Sequence, residues 1–417
     1  MNKTALTKTY TKDIQNSCLN SKKIVLSLAT ISFLASCTHA TLTPEIETYE
    51  ETDRRTKARS ASRSTNSNNK TTISSLQNST QTVSGTGNTL VIENGGTITI
   101  SNGSQQAVNF TQDSSTSTFL NKGTLIGGNN TASVQLGANN NNNGVTIKTF
   151  DNQGIIGNGF SKFGVTVWGT NSSKSTINNF TNSGTIYSNT GESIYFGNAN
   201  ISSFANSGTI KSKQGAGVNI SRGTSIENFN NTGTIEGKED GIRINANVKT
   251  LKNTGTIKGH AISIKSLGGT IDQLINEGIM DGKSAGIYMR RSRVKTLTNS
   301  GTINQNNSET WSAGIKLENG STIENIINTG SIRSNAFGIS VTGGKFGTLT
   351  IKDGGQVYGK YSAIGVGRSQ TLGDLYIDGS SSNGRVSGIY SEEHGILLEN
   401  NSRTQKIELK NGGIIKG

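Results

Sequence analysis

Few stretches of this 417-residue chain hold side chains that could perform covalent chemistry. Gly282-Lys-Ser284-Ala-Gly286 matches G-x-S-x-G, the turn that presents a nucleophilic serine. Its base would be His260, which alignment of neighbouring segments places near Ala285. A nucleophile elbow needs a helix after the serine, and here the pattern continues as a strand. Glu392-Glu393-His394 sets two carboxylates beside an imidazole, an acid–base or metal pattern that reads more simply as a solvated turn. His39, His260 and His394 are too scattered for a histidine metal site. The only cysteines, Cys18 and Cys37, precede the region that follows, so no disulfide frame or zinc cluster is available there. A polysaccharide lyase or glycosidase needs clustered carboxylates, and acids are sparse. No catalytic residue, metal or cofactor is therefore expected.

Binding chemistry is better represented. Tyr288 is followed by Arg290, Arg291, Arg293 and Lys295. Tyrosines among guanidinium groups suit anionic glycans or acidic proteins, through charge and aromatic contact. The alternative is a well-solvated face. The formal net charge is +13. Residues 1–36 hold five lysines and one aspartate, a net +4, which leaves +9 on the remainder. Such a balance favours anionic partners, and no nucleic-acid module is visible.

These residues are positioned by a repeat. Asn231-Thr-Gly233-Thr-Ile235 opens one copy, Gly241-Ile242-Arg243-Ile244 and Val248-Lys249-Thr250-Leu251 follow, and Asn253-Thr-Gly255-Thr-Ile257 begins the next. The turn glycine recurs from Gly96 through Gly123, Gly154, Gly184, Gly208, Gly233, Gly255, Gly278, Gly301, Gly330 and Gly355 to Gly413, with a degraded copy near Gly384. Most copies carry Asn two places before it, from Asn94 to Asn328, and Asp353 substitutes once. The second segments alternate apolar, polar, apolar, and no 3.6-residue period is sustained after residue 80. Three short strands per period imply an all-β, right-handed parallel β-helix of about 13 coils, a rod of roughly 60 Å. Gly is expected to supply left-handed turns, and Asn to form an amide ladder. Ile235, Ile257 and Ile303 are expected to stack inside, as are Ile242, Ile262 and Ile287. Outward positions of the second strand then read Thr166, Tyr195, Asn219, Arg243, Ser263, Tyr288, Lys316 and Ser340. The candidate binding set is Tyr195, Arg243, Tyr288, Arg290, Arg291, Arg293 and Lys316.

The chain divides into residues 1–36, 37–80 and 81–417. The first is basic and then apolar over Ile24–Leu34, too short for a permanent span, and reads as an export signal. It ends Leu34-Ala35-Ser36-Cys37, the pattern of a bacterial lipobox, whose cysteine thiol can receive diacylglycerol. Ordinary cleavage near Thr38-His39-Ala40 is the alternative. Two or more acyl chains would anchor stably, and the residue after the cysteine is Thr38 rather than Asp, which favours the outer membrane. Residues 37–80, acidic then basic then rich in Ser, Thr and Asn, read as a disordered tether. The third segment is the β-helix, with residues 85–100 as its first coil.

An export signal, cysteine-free coils and the Asn-x-Gly-Thr-Ile repeat together resemble the passenger of a type V autotransporter. With the Leu34–Cys37 lipobox, the chain is similar to the autotransporter adhesin lipoproteins of Campylobacter. That resemblance implies an outer-membrane, surface-displayed adhesin that binds host epithelial cells. It also implies a C-terminal transporter barrel, which the sequence as given lacks. Two other functions stay open from the residues alone: a β-helical polysaccharide-active enzyme, and a self-associating aggregation factor.

Overall fold

The computed structural model describes residues 69–417, apart from 102, 139–142, 158–159, 260–261, 307–311 and 381–383, and apart from the side chains of 262 and 263. Cys37, the export signal, residues 37–68 of the tether and His260 lie outside the described residues. Within them the chain is a parallel β-solenoid of about 13 coils with no helix. Its three sheets hold 14, 14 and 13 strands. Each coil contributes one strand to each. Thr234–Gly237 belongs to sheet B, Asp240–Ile244 to sheet C and Asn247–Asn253 to sheet A. Every strand pairs in parallel with its counterpart one coil away, for example Ile235 with Ile257.

The core is a stack of matched rows. Sheet B fills its row with Ile210, Ile235, Ile257, Met280 and Ile303, each wholly buried. In sheet A, Phe119, Phe150, Phe180, Phe204 and Phe229 pile up at centroid spacings of 4.7, 4.4, 5.1 and 4.2 Å, before Leu251 and Leu274 continue the row. Burying each such side chain contributes roughly 1.5–3 kcal/mol, but only once a neighbouring coil covers it. One row has a defect. Ser266 stands between Ile244 and Met289, 1% exposed, and its hydroxyl has no partner. Ser266→Ala removes the unsatisfied donor and is expected to stabilise the chain by about 1 kcal/mol. The urea midpoint by circular dichroism should rise; a fall would mean that the hydroxyl is bonded in solution.

The asparagine ladder is present. From Asn121 to Asn328, nine buried asparagines form the ladder, and each of the first eight passes an amide hydrogen to the carbonyl oxygen of the next, at 2.7–2.9 Å. The same amide also donates to main-chain oxygens, such as Asn231 Nδ2 to Gly233 and Thr256. This satisfies polar groups that are out of reach of water. Asn94 and Asp353 do not join the ladder. Register puts Ile92 opposite Asn121 and Ile351 opposite Asn328, because the Glu93–Gly96 and Lys352–Gly355 turns are longer than the internal ones.

Three further expectations need correction. The first coil is not 85–100: Lys70–Ile73, Leu76–Gln77 and Gln81–Val83 form an earlier one, so among the described residues the solenoid is already present eleven residues before 81. Each outer strand of that coil offers one buried apolar residue, Ile73 or Val83, inside a Ser/Thr-rich tract, too little to show a period. The recurring turn glycines from Gly123 to Gly330 are not left-handed; none has positive φ. A Cβ on Gly255 would instead lie 2.1 Å from the carbonyl oxygen of Gly233, and the same holds along the stack. Close approach of successive coils, not turn conformation, demands glycine. Last, Ile242 stacks on Ile264 and then Ile287, while Ile262 stands between Asp240 and Ala285.

Candidate binding face

Correcting that register also corrects the outward row of sheet C. It runs Thr166, Tyr195, Asn219, Arg243, Lys265, Tyr288, Lys316, Ser340, with Lys265 where Ser263 was expected. Strand alternation turns these positions away from the core. Thr166 and Ser340 are nevertheless buried, at 2% exposure each, so the presented part of the row is Tyr195 to Lys316.

Its charges are largely answered from within. Arg243 Nε donates to Asp240 Oδ2 at 2.8 Å, its Nη2 pairs with Glu239 at 2.5 Å, and Glu192 lies 3.7 Å from Nη1. Glu192 also accepts from Asn219 at 3.0 Å. Asp240 is 1% exposed and its Oδ1 has no partner. Burial pushes its carboxyl above the ordinary range, against the downward pull of Arg243 and Lys265. Three carboxylates therefore converge on one guanidinium: Asp240 opens its own strand, and Glu239 and Glu192 sit in turns before sheet C strands, where apolar alternation carries no signal. The buried Asp240 Oδ2 meets Arg243, an arrangement that holds the arginine in place.

One step along, Tyr288 donates to Glu318 Oε2 at 2.8 Å, and Lys316 reaches Glu318 Oε1 at 2.8 Å and the tyrosine ring face at 5.9 Å. Burial and the adjacent carboxylate push the Tyr288 hydroxyl up to about 12. Burial alone would raise Glu318, but bonds from Lys316 and Tyr288 outweigh it and hold that carboxyl below its ordinary value. At the corner that follows, Ser292 is buried, accepts from the Gly268 amide and donates to the Arg290 carbonyl, which fixes the turn. Arg290 ends the Ala285–Arg290 strand, Arg291 takes φ 53°, and both side chains are exposed. Arg293 begins Arg293–Asn299 in sheet A and is held by Glu324. The structure thus gathers Tyr288, Lys316, Arg290 and Arg291. It sets Arg293 on the next sheet, and leaves Tyr195 two coils from Arg243, against Trp168 at 4.4 Å.

The other candidates fall elsewhere. Ser284 occupies the turn between Ile279–Gly282 and Ala285–Arg290, with a strand directly after it. Ile262, rather than residue 260, is opposite Ala285. Glu392 accepts from Tyr358 at 3.0 Å in an exposed turn, and His394 opens the next strand. Among the described residues no group of His, Cys, Asp or Glu is arranged to hold a metal. Sheet B carries a row that was not anticipated, Arg333, Tyr358 and Tyr390 in register, with the guanidinium 5.2 Å from the Tyr358 ring. Its members are the third residues of their strands, two places after Ser331, Gln356 and Gly388. No family model, curated protein or solved structure matches the chain.

Proposed function

We propose that this chain is the shaft of a lipid-anchored outer-membrane autotransporter adhesin, with Cys37 as the acylated residue, and that it binds a host-cell receptor or anionic glycan through its sheet C corner. The observation that carries this reading is the placing of exposed Arg290 and Arg291 at the corner that follows Tyr288, with Arg290 in register with Glu318, the acid that holds the tyrosine–lysine pair. Acids already neutralise Arg243, Lys316 and Arg293, so the two corner arginines supply the charge that a ligand would meet. Exposed guanidinium groups suit carboxylate and sulfate, which they bind through two parallel hydrogen bonds. A filled solenoid suits a spacer that holds such a corner away from a membrane. The carboxylates around Arg243 do not favour an enzyme, because their partner is the guanidinium itself.

The test changes Arg290 and Arg291 together to Ser. Binding to epithelial cells at physiological salt should fall about tenfold or more, as expected when charge-assisted contacts are lost. Undiminished binding by the correctly folded variant would remove this corner from the proposal.

A further inference from the structure

Sheet A changes character near residue 347. Its outward column reads Lys249, Asp272, Lys295 and Glu324, and then Gly347 and Gly373. Two coils in succession lack a side chain there, so the surface sinks. At the same point the chain partly leaves the sheet. The strand after Lys345–Ile351 starts only at Asp374, and Thr371–Leu372 pairs instead with Arg403–Thr404 as a separate two-stranded sheet. The result is a groove of about 800 Å³ with Gly347 and Gly373 in its lining, a size typical of small-ligand sites.

Its walls are basic. Lys345 and Arg403 are exposed, and among the described residues no carboxylate pairs with either. Arg403 Nε makes a long bond to Thr371 Oγ1, at 3.4 Å. The Arg293–Glu324 pair closes one end. Lys345 and Arg403 stand two coils apart, roughly 10 Å by strand spacing. Fixed cations at that interval match charges repeated along a chain better than one small anion. Hydroxyl and amide groups of Thr322, Thr371 and Gln405 complete the lining, while Phe346 and Leu372 are buried in the core. No apolar recess is offered for a peptide anchor, whereas a flat backbone floor with polar walls suits a ring rich in hydroxyls.

We propose that this groove binds an acidic saccharide chain, its sulfate or carboxylate groups meeting Lys345 and Arg403. The site is separate from the Arg290–Arg291 corner and depends on the adhesin reading only for its biological setting.

The test is calorimetry on the full chain with a short sulfated glucosamine–uronate oligosaccharide as probe. Lys345→Glu with Arg403→Glu should weaken binding at least about tenfold, with an unchanged melting profile because both side chains are exposed. Arg290→Ser with Arg291→Ser should keep the affinity within about twofold, since exposed charges outside the groove are screened. Polyglutamate of equal charge should bind about tenfold more weakly or worse, as groove hydroxyl contacts are lost. The proposal is overturned if the double Glu variant binds the probe as the wild type does, or if polyglutamate binds equally well. It is also overturned if the wild type does not bind the probe. The corner reading is judged separately, by cell binding of the arginine-to-serine variants.

Discussion

Replacing Ile244 with aspartate is expected to open the solenoid at mid-length. Ile244 is wholly buried and lies between Ile220 and Ser266 in sheet C. The change removes the apolar contacts of one core side chain and places a carboxyl in the space, a total of about 5 kcal/mol or more. Burial raises the pKa of such a group. The ionisation part of the penalty is thus absent below an unfolded value of about 4 and grows as pH rises toward the higher folded value. The gap in urea midpoint between variant and wild type should therefore widen from about pH 4 to about pH 7. Each coil touches only its neighbours, so the opening stays local and the outer coils remain folded. Limited trypsin digestion should then cut at Lys238, Arg243 or Lys249, which lie in or beside the strands of that coil. A digest identical to the wild type would show that residue 244 does not face the core.

The architecture was legible because a solenoid repeats one local problem. Ile at alternate positions after each turn gave sheets B and C, and Asn two residues before Gly gave the ladder. What escaped was set by neighbours rather than by local sequence. Gly259-His-Ala-Ile-Ser-Ile264 offers two isoleucines that fit the same alternation, and reading Ile262 as the stacked one displaced both the core row and the outward row. Counting from the turn glycine resolves it. Gly233 to Ile242, Gly255 to Ile264 and Gly278 to Ile287 each span nine residues. The candidate face was only half legible for the same reason. Strand alternation places Arg243 and Lys316 outward, as they are. Asp240 and Glu318 neutralise them from two or three residues away, and Glu192 from two coils away, a distance that strand pattern does not measure. The sheet A groove was invisible until register brought Gly347 and Gly373 into one column.

That distinction between local conformation and neighbour contact makes a second large effect. Gly255→Ala is expected to destabilise the rod by about 3 kcal/mol or more, although alanine adds one carbon. The new Cβ would sit 2.1 Å from the Gly233 carbonyl oxygen and 2.5 Å from that of Thr232. Both are backbone atoms, which leaves nothing flexible to yield. Relief requires the two coils to separate, which strains the bonds Thr256 N to Gly233 O at 2.9 Å and Gly255 N to Asn231 O at 3.1 Å. The ladder contact from Asn231 to Asn253, at 2.8 Å, lies in the same turn and would lengthen too. Gly320→Ala provides the contrast. That glycine has φ 78° and open space around its would-be Cβ, so alanine there meets only conformational strain, roughly 1–2 kcal/mol. Chemical denaturation of both variants separates the two causes. A Gly255→Ala penalty no larger than that of Gly320→Ala would mean that coil spacing is looser than the stack of carbonyl contacts implies, and that the recurring glycine has another reason.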